Sequence, residues 1–193
     1  VKANVPRVIH FIGSSAYNSN GTETVGTAEG GLKVTLYKIN DIDESRIQTD
    51  AYYARLNTYY FHTMHHEFTH ILHQKIAYDA NFKLISEADY ISGNWYQYSD
   101  SYALQKGFIT SYAMSQPDDD FAETMSTYVT SSDKEWEGYL ATAGTSGAAI
   151  INKKLDIIRT YMAESWGLDI DKLKKVIQRR ASEIKTLDLE HLN

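Results

Sequence analysis

"HTMHHEFTHILHQ", residues 62–74, carries five of the chain's seven histidines and one glutamate. Phe61, Met64, Phe68, Ile71 and Leu72 recur at the three-and-four spacing of one side of a helix. That spacing predicts a helix from about residue 50 to about 75, with Thr49 or Asp50 as its cap. Residues four apart share a helix face, so His66 and His70 can aim their imidazoles at one point. Glu67 follows His66 directly and can reach a water held at that point without being a ligand. This is the H-E-x-x-H arrangement, with two neutral imidazoles suited to Zn2+ and a carboxylate suited to act as general base. His62 makes another four-residue pair with His66 but has no glutamate beside it. His65 points about 100° away from His66, and His73 lies three beyond His70. These three are expected in supporting or surface roles.

Catalytic zinc takes three protein ligands and leaves one position open. The chain has no cysteine, so a thiolate ligand and disulfides are both excluded. The residues after His70, "ILHQKIAYDA", place neither a glycine nor a histidine in the register of an extended histidine motif. A carboxylate on a later helix is therefore expected. The best region is "SYAMSQPDDDFAETMSTY", residues 111–128. Asp119 and Glu123 are four apart on one face, so one can bind the metal while the other orients a histidine. Asp118 and Asp120 compete as ligands, and all three aspartates also suit the first turn of a helix running from about 118 to 131.

Outward from these motifs the chain reads as α+β, with strands between residues 7 and 40 and helices after them. "RVIHFIG" (7–13) is a short β-branched run expected as a buried strand, and 13–31 is expected as a long Gly/Ser/Thr/Asn loop. "LKVTLYKIN" (32–40) alternates apolar and polar residues, as a strand with one buried face does, and is expected at a sheet edge. Gly144 to Gly147 predict a break, followed by two amphipathic helices over about 148–187, the first closed by Gly167 and the second capped by Asp169. Trp95, Trp136 and Trp166 are expected as packing anchors, with Trp95, in a polar loop, the one that could line a pocket.

A length of 193 residues with 42% apolar content suits a single domain with a real core. A net charge of -6 without a basic block argues against nucleic-acid or anionic-membrane partners. No run approaches the roughly 18 apolar residues of a membrane span. The chain opens on Val1 rather than Met, so removal of a leader or lipid anchor is the expectation.

Over nearly its whole length, in "RVIHFIG", "GTAEGG", "HHEFTHILHQ", "GFITSYA" and "DDDFAE", the chain resembles the zinc-binding metallopeptidases encoded beside glycan-uptake systems in Gram-negative gut bacteria. The active-site segments are also similar to the catalytic domain of the lethal-factor type of metallopeptidase, which has Ser-Tyr, then a glutamate ligand seven residues after the Tyr, then Phe-Phe-Ala-Glu. Here Ser111-Tyr112 precedes Asp119 by that interval, and Asp120-Phe121-Ala122-Glu123 follows. The resemblance implies a single zincin-like domain with a small mixed sheet, an active-site helix and a helical C-terminal part. It also implies His66, His70 and Asp119 as ligands, Glu123 supporting a ligand and Tyr112 near the reacting carbonyl. The glutamate of that pattern is Asp119 here, a methylene shorter, so its helix sits closer to the metal or Asp120 takes its place. Peptide-bond hydrolysis with Glu67 as base is the activity implied, on a peptide or protein substrate in the cell envelope or outside the cell. Association with glycan-uptake components is implied as well. A low-activity binding or assembly role, or hydrolysis of a non-peptide amide, would use the same ligand set.

Overall fold

The computed structural model describes residues 6–47 and 49–186. The expected end of the last helix at residue 187 lies outside the described residues. Five short strands come first: β1 Val8–Phe11, β2 Ala16–Tyr17, β3 Glu23–Thr24, β4 Gly26–Glu29 and β5 Lys33–Leu36. Helices follow: α1 Asp50–Leu56, α2 His62–His73, α3 Asn81–Leu84, α4 Asp100–Gln105, α5 Pro117–Thr130, α6 Asp133–Trp166 and α7 Ile170–Glu183. The architecture is α+β, strand-poor and dominated by helices in its C-terminal part. No helix among the described residues is long and apolar enough to cross a membrane.

The sheet departs from the sequence reading in three respects. Its order is β1-β5-β4, with β1 parallel and β4 antiparallel to β5. The strand expected at an edge, β5, is therefore central: Val34, Thr35 and Leu36 are buried, and Val34 and Leu36 pack with Ile71 of α2. The segment 13–31 is no plain loop: it contains the antiparallel ribbon β2–β3 and the edge strand β4. β1, expected to be buried, is the other edge, and Val8, Ile9 and Phe11 are 49%, 51% and 60% exposed. β-branched composition reports a preference for extended backbone, while burial depends on which neighbours cover the strand.

The helix expected over residues 50–75 runs from Asp50 to His73, with a π-helical turn at Asn57–Phe61 joining α1 to α2. The wider turn shifts the register of everything after it. The buried side of α2 then carries Thr63, His66, Glu67 and Thr69 beside Ile71 and Leu72, while Met64 lies at the surface. α5 begins with Pro117, whose missing N–H costs nothing at a first turn, and three aspartates there complement the helix dipole. α6 is two helical segments meeting at a kink where Gly144 adopts φ 66°, the break that the glycines predicted. Its first segment, 133–143, was not expected, although Ser132 and Glu135 form a capping box whose S-x-x-E signature is plain in the sequence. Asp169 caps α7 by accepting from the N–H groups of Asp171 and Lys172. Phe82, Phe108, Phe121, Ile151, Ile158 and Met162 close the main core at 0% exposure, with Trp136 and Trp166 packed into it.

Candidate metal centre

α2 and α5 pack face to face, and the histidines of one meet the carboxylates of the other. Nε2 of His66 and Nε2 of His70 are 2.9 Å apart. Asp119 Oδ1 lies 3.3 Å from His70 Nε2 and 3.7 Å from His66 Nε2. A tetrahedral zinc with bonds of roughly 2.0–2.1 Å has ligand–ligand edges of about 3.4 Å, and the three distances bracket that value. His66, His70 and Asp119 are the one group of histidines and acids among the described residues that converge closely enough to hold a metal ion. The other oxygen of Asp119 is already committed, since Ser115 Oγ and Gln116 Nε2 each donate to Oδ2 at 2.9 Å. Oδ1 is thereby turned toward the imidazoles. Neither Ser115 nor Gln116 stood out in the sequence, because hydroxyls and amides one turn ahead of an acid are common.

The outward nitrogens of the two imidazoles also have partners. Glu123 Oε1 stands 2.8 Å from His66 Nδ1, a close ionic contact that is out of line for a good hydrogen bond. Its Oε2 accepts from Thr110 Oγ1 at 2.8 Å. His70 Nδ1 and His73 Nε2 are 2.7 Å apart. His62 reaches Ser126 and Thr127 and lies 3.7 Å from Glu123. Asp118 and Asp120 are not brought to the group. Asp118 accepts from the Tyr78 hydroxyl. Asp120 points into the core, 2.7 Å from Lys154 Nζ, with Tyr90 donating to it at 2.8 Å. The expectation of Asp120 as alternative ligand therefore meets a carboxylate facing the other way, because successive residues on a helix diverge by about 100°.

The field at this point favours a cation. Burial would depress His66, but Asp119 and Glu123 outweigh it and hold the imidazole up at about 10. Against the cost of burial, the histidines hold Asp119 well below the usual carboxylate range, and His62 and His66 hold Glu123 at about 2. Glu67 goes the other way: burial, chiefly, raises its carboxyl. His73 is lowered to about 4 by burial and by His70, so it is neutral at pH 7. Two imidazole nitrogens and one anionic oxygen, buried and surrounded by further negative charge, suit a divalent metal.

A cleft of about 420 Å³ opens onto this group, walled by His66, Glu67, Tyr112, Trp95, the β2–β4 segment and the π-turn residues Thr58 and Tyr59. Trp95 is thus the tryptophan that lines a pocket, packed edge-to-face on Tyr112 with ring centroids 5.0 Å apart. Tyr112 lies over His66 with ring centroids 5.8 Å apart, and burial, then Asp119 and Glu123, push its hydroxyl well above the usual phenol range. Gly26 lies against Glu67: a Cβ there would fall 2.6 Å from Thr63 Cγ2 and 2.8 Å from Glu67 Cγ.

Residues 1–171 match the model of a family described as "Putative zinc-binding metallo-peptidase". The chain belongs to this family. Among solved structures it is similar to a "putative zinc-binding metallo-peptidase" from Bacteroides caccae. The two share 44% identity with a TM-score of 0.80, over 100% of this chain and 71% of that one. No curated protein matches the chain. Zinc is thus the cofactor of the family, and His66, His70 and Asp119 are the group in this member that could hold it.

Proposed function

We propose that this family member is a zinc-dependent peptidase that cleaves extended peptide segments, with His66, His70 and Asp119 as ligands and Glu67 as general base. The observation that carries this reading is Glu67 at the cleft floor, one residue from His66 and beside the open edge of β4. Bound zinc would polarise the scissile carbonyl and acidify water. Glu67 accepts the proton as water attacks and delivers it to the leaving amine. Its raised carboxyl makes it a stronger base than an exposed glutamate. Tyr112 donates a hydrogen bond to the developing oxyanion, a role worth roughly 3 kcal/mol where such donors have been removed. Glu123 and Thr110 hold His66 in its orientation.

β4, an edge strand of the sheet, is the element for backbone recognition. Tyr37 N–H donates to Val25 C=O, so Val25 faces β5 and the N–H and C=O of Gly26 face outward, toward the cleft. An extended peptide adding to this edge would pass across Glu67. We further propose one catalytic domain with an active site of the lethal-factor type, working in the cell envelope or outside the cell on peptide or protein substrates. A lipid anchor upstream and a place beside a glycan-uptake system fit the family resemblance in "HHEFTHILHQ" and "DDDFAE".

The test is hydrolysis of a quenched-fluorescence peptide library by the zinc-loaded chain. Cleavage should disappear on chelation and return with added zinc, and a zinc-loaded chain that cuts no member of the library would reject the reading. Asp119→Asn should weaken zinc retention by at least the ~10–100-fold typical of lost outer-shell support, measured by competition with a chromophoric chelator. Undiminished retention would remove Asp119 from the ligand set. Gly26→Ala should keep one zinc per chain while lowering kcat/KM on the order of 10²-fold, because the added methyl must move either the strand edge or Glu67. A fully active Gly26→Ala chain would rule out close approach of β4 to the base.

A further inference from the structure

We propose that His73 is a positioning residue for the metal, holding His70 in its ligand orientation from the place where a carboxylate ordinarily stands. The inference rests on reading His66, His70 and Asp119 as the ligands. With Nε2 of His70 turned to His66 and Asp119, a neutral His70 carries its proton on Nδ1, and that nitrogen is 2.7 Å from His73 Nε2. His70 donates and His73 accepts. Ligating histidines generally give this second N–H to a carboxylate, a backbone carbonyl or water, and the partner fixes both tautomer and ring orientation. The two ligands are therefore held asymmetrically, His66 by the anionic Glu123 at 2.8 Å and His70 by a neutral imidazole.

Tertiary packing fixes the His73 ring. Tyr78 presents its face or edge to it at 5.7 Å and 89°, and Phe121 at 6.4 Å and 79°. Tyr78 is itself stacked on Phe121 at 4.2 Å and donates to Asp118 at 2.5 Å. Phe121 and Asp118 both belong to α5, the helix that carries Asp119. The helix supplying the third ligand thus also braces the acceptor for the second. The spacing from His70 to His73 is the i, i+3 neighbour relation that lets two side chains of one helix meet.

The experiment measures zinc affinity of the full chain by chelator competition, with the melting temperature of the metal-free form as a folding control. His73→Leu removes the acceptor and should weaken zinc about 10–100-fold. His73→Gln places an amide oxygen near the former Nε2 and should recover most of the loss. His73→Glu, which supplies the usual carboxylate, should bind zinc at least as tightly as the wild-type chain. Wild-type affinity in His73→Leu would overturn the proposal. So would Gln and Glu variants that fold yet bind as weakly as the Leu variant, a comparison that holds even if Leu unsettles the fold. A wild-type chain that takes up no zinc would instead overturn the metal-centre reading, and this inference with it.

Discussion

Glu67→Gln should retain one zinc per chain while lowering kcat/KM by about 10²–10⁴-fold, the usual contribution of a positioned general base. The amide keeps the size and much of the polarity of the carboxylate but cannot take a proton. Glu67 lies outside the converging group, whose members are His66, His70 and Asp119, so metal content should not follow activity. Its side chain is held between Thr63, Gly26 and the cleft floor, so the substitution has little room to relax. Zinc content and single-substrate kinetics on the same preparation decide the matter. Undiminished turnover would mean that another group takes the proton, while loss of zinc together with activity would place Glu67 among the ligands.

Lys154→Met should be the most damaging substitution outside the centre. Lys154 and Asp120 are both fully buried and 2.7 Å apart, and Lys154 also donates to the Gly107 carbonyl and sits 3.7 Å from the centre of the Phe108 ring. Removing the lysine leaves a carboxylate in the core with only the hydroxyls of Tyr90 and Thr124. Breaking one partner of such a pair costs about 3–5 kcal/mol. For a chain of this size that corresponds to roughly 6–20 °C in melting temperature. Replacing both partners, Lys154→Met with Asp120→Leu, should recover much of the loss, because desolvation of the charges opposes their attraction. A single variant melting within a degree or two of wild type would show that Asp120 is neutral in the folded chain.

This pair also explains how neighbouring aspartates divide their work. Asp118, Asp119 and Asp120 look interchangeable in a sequence, since all suit the first turn of α5. In the fold one turns to Tyr78, one to the histidines and one to Lys154. Lys154, thirty-four positions beyond Asp120, could not be matched with it from sequence, because a lysine in an amphipathic helix reads as a solvated charge.

What the sequence determined by itself was local. The four-residue spacing of His66 and His70, the caps at Asp169 and Gly167, the glycine break and the α+β class all follow from the geometry of a single backbone segment. The capping box of Ser132 and Glu135 is equally local. Tertiary structure decided everything that depends on which segments meet. It put β5 at the centre of the sheet with β4 at an edge, brought Asp119 to the imidazoles while sending Asp120 into the core, and braced the His73 ring beside His70 with Tyr78 and Phe121. Helical periodicity is written in every few residues, whereas pairing across α2, α5 and the sheet depends on how whole faces pack. A π turn at 57–61, invisible to a regular period, rotates the face on which the site is built.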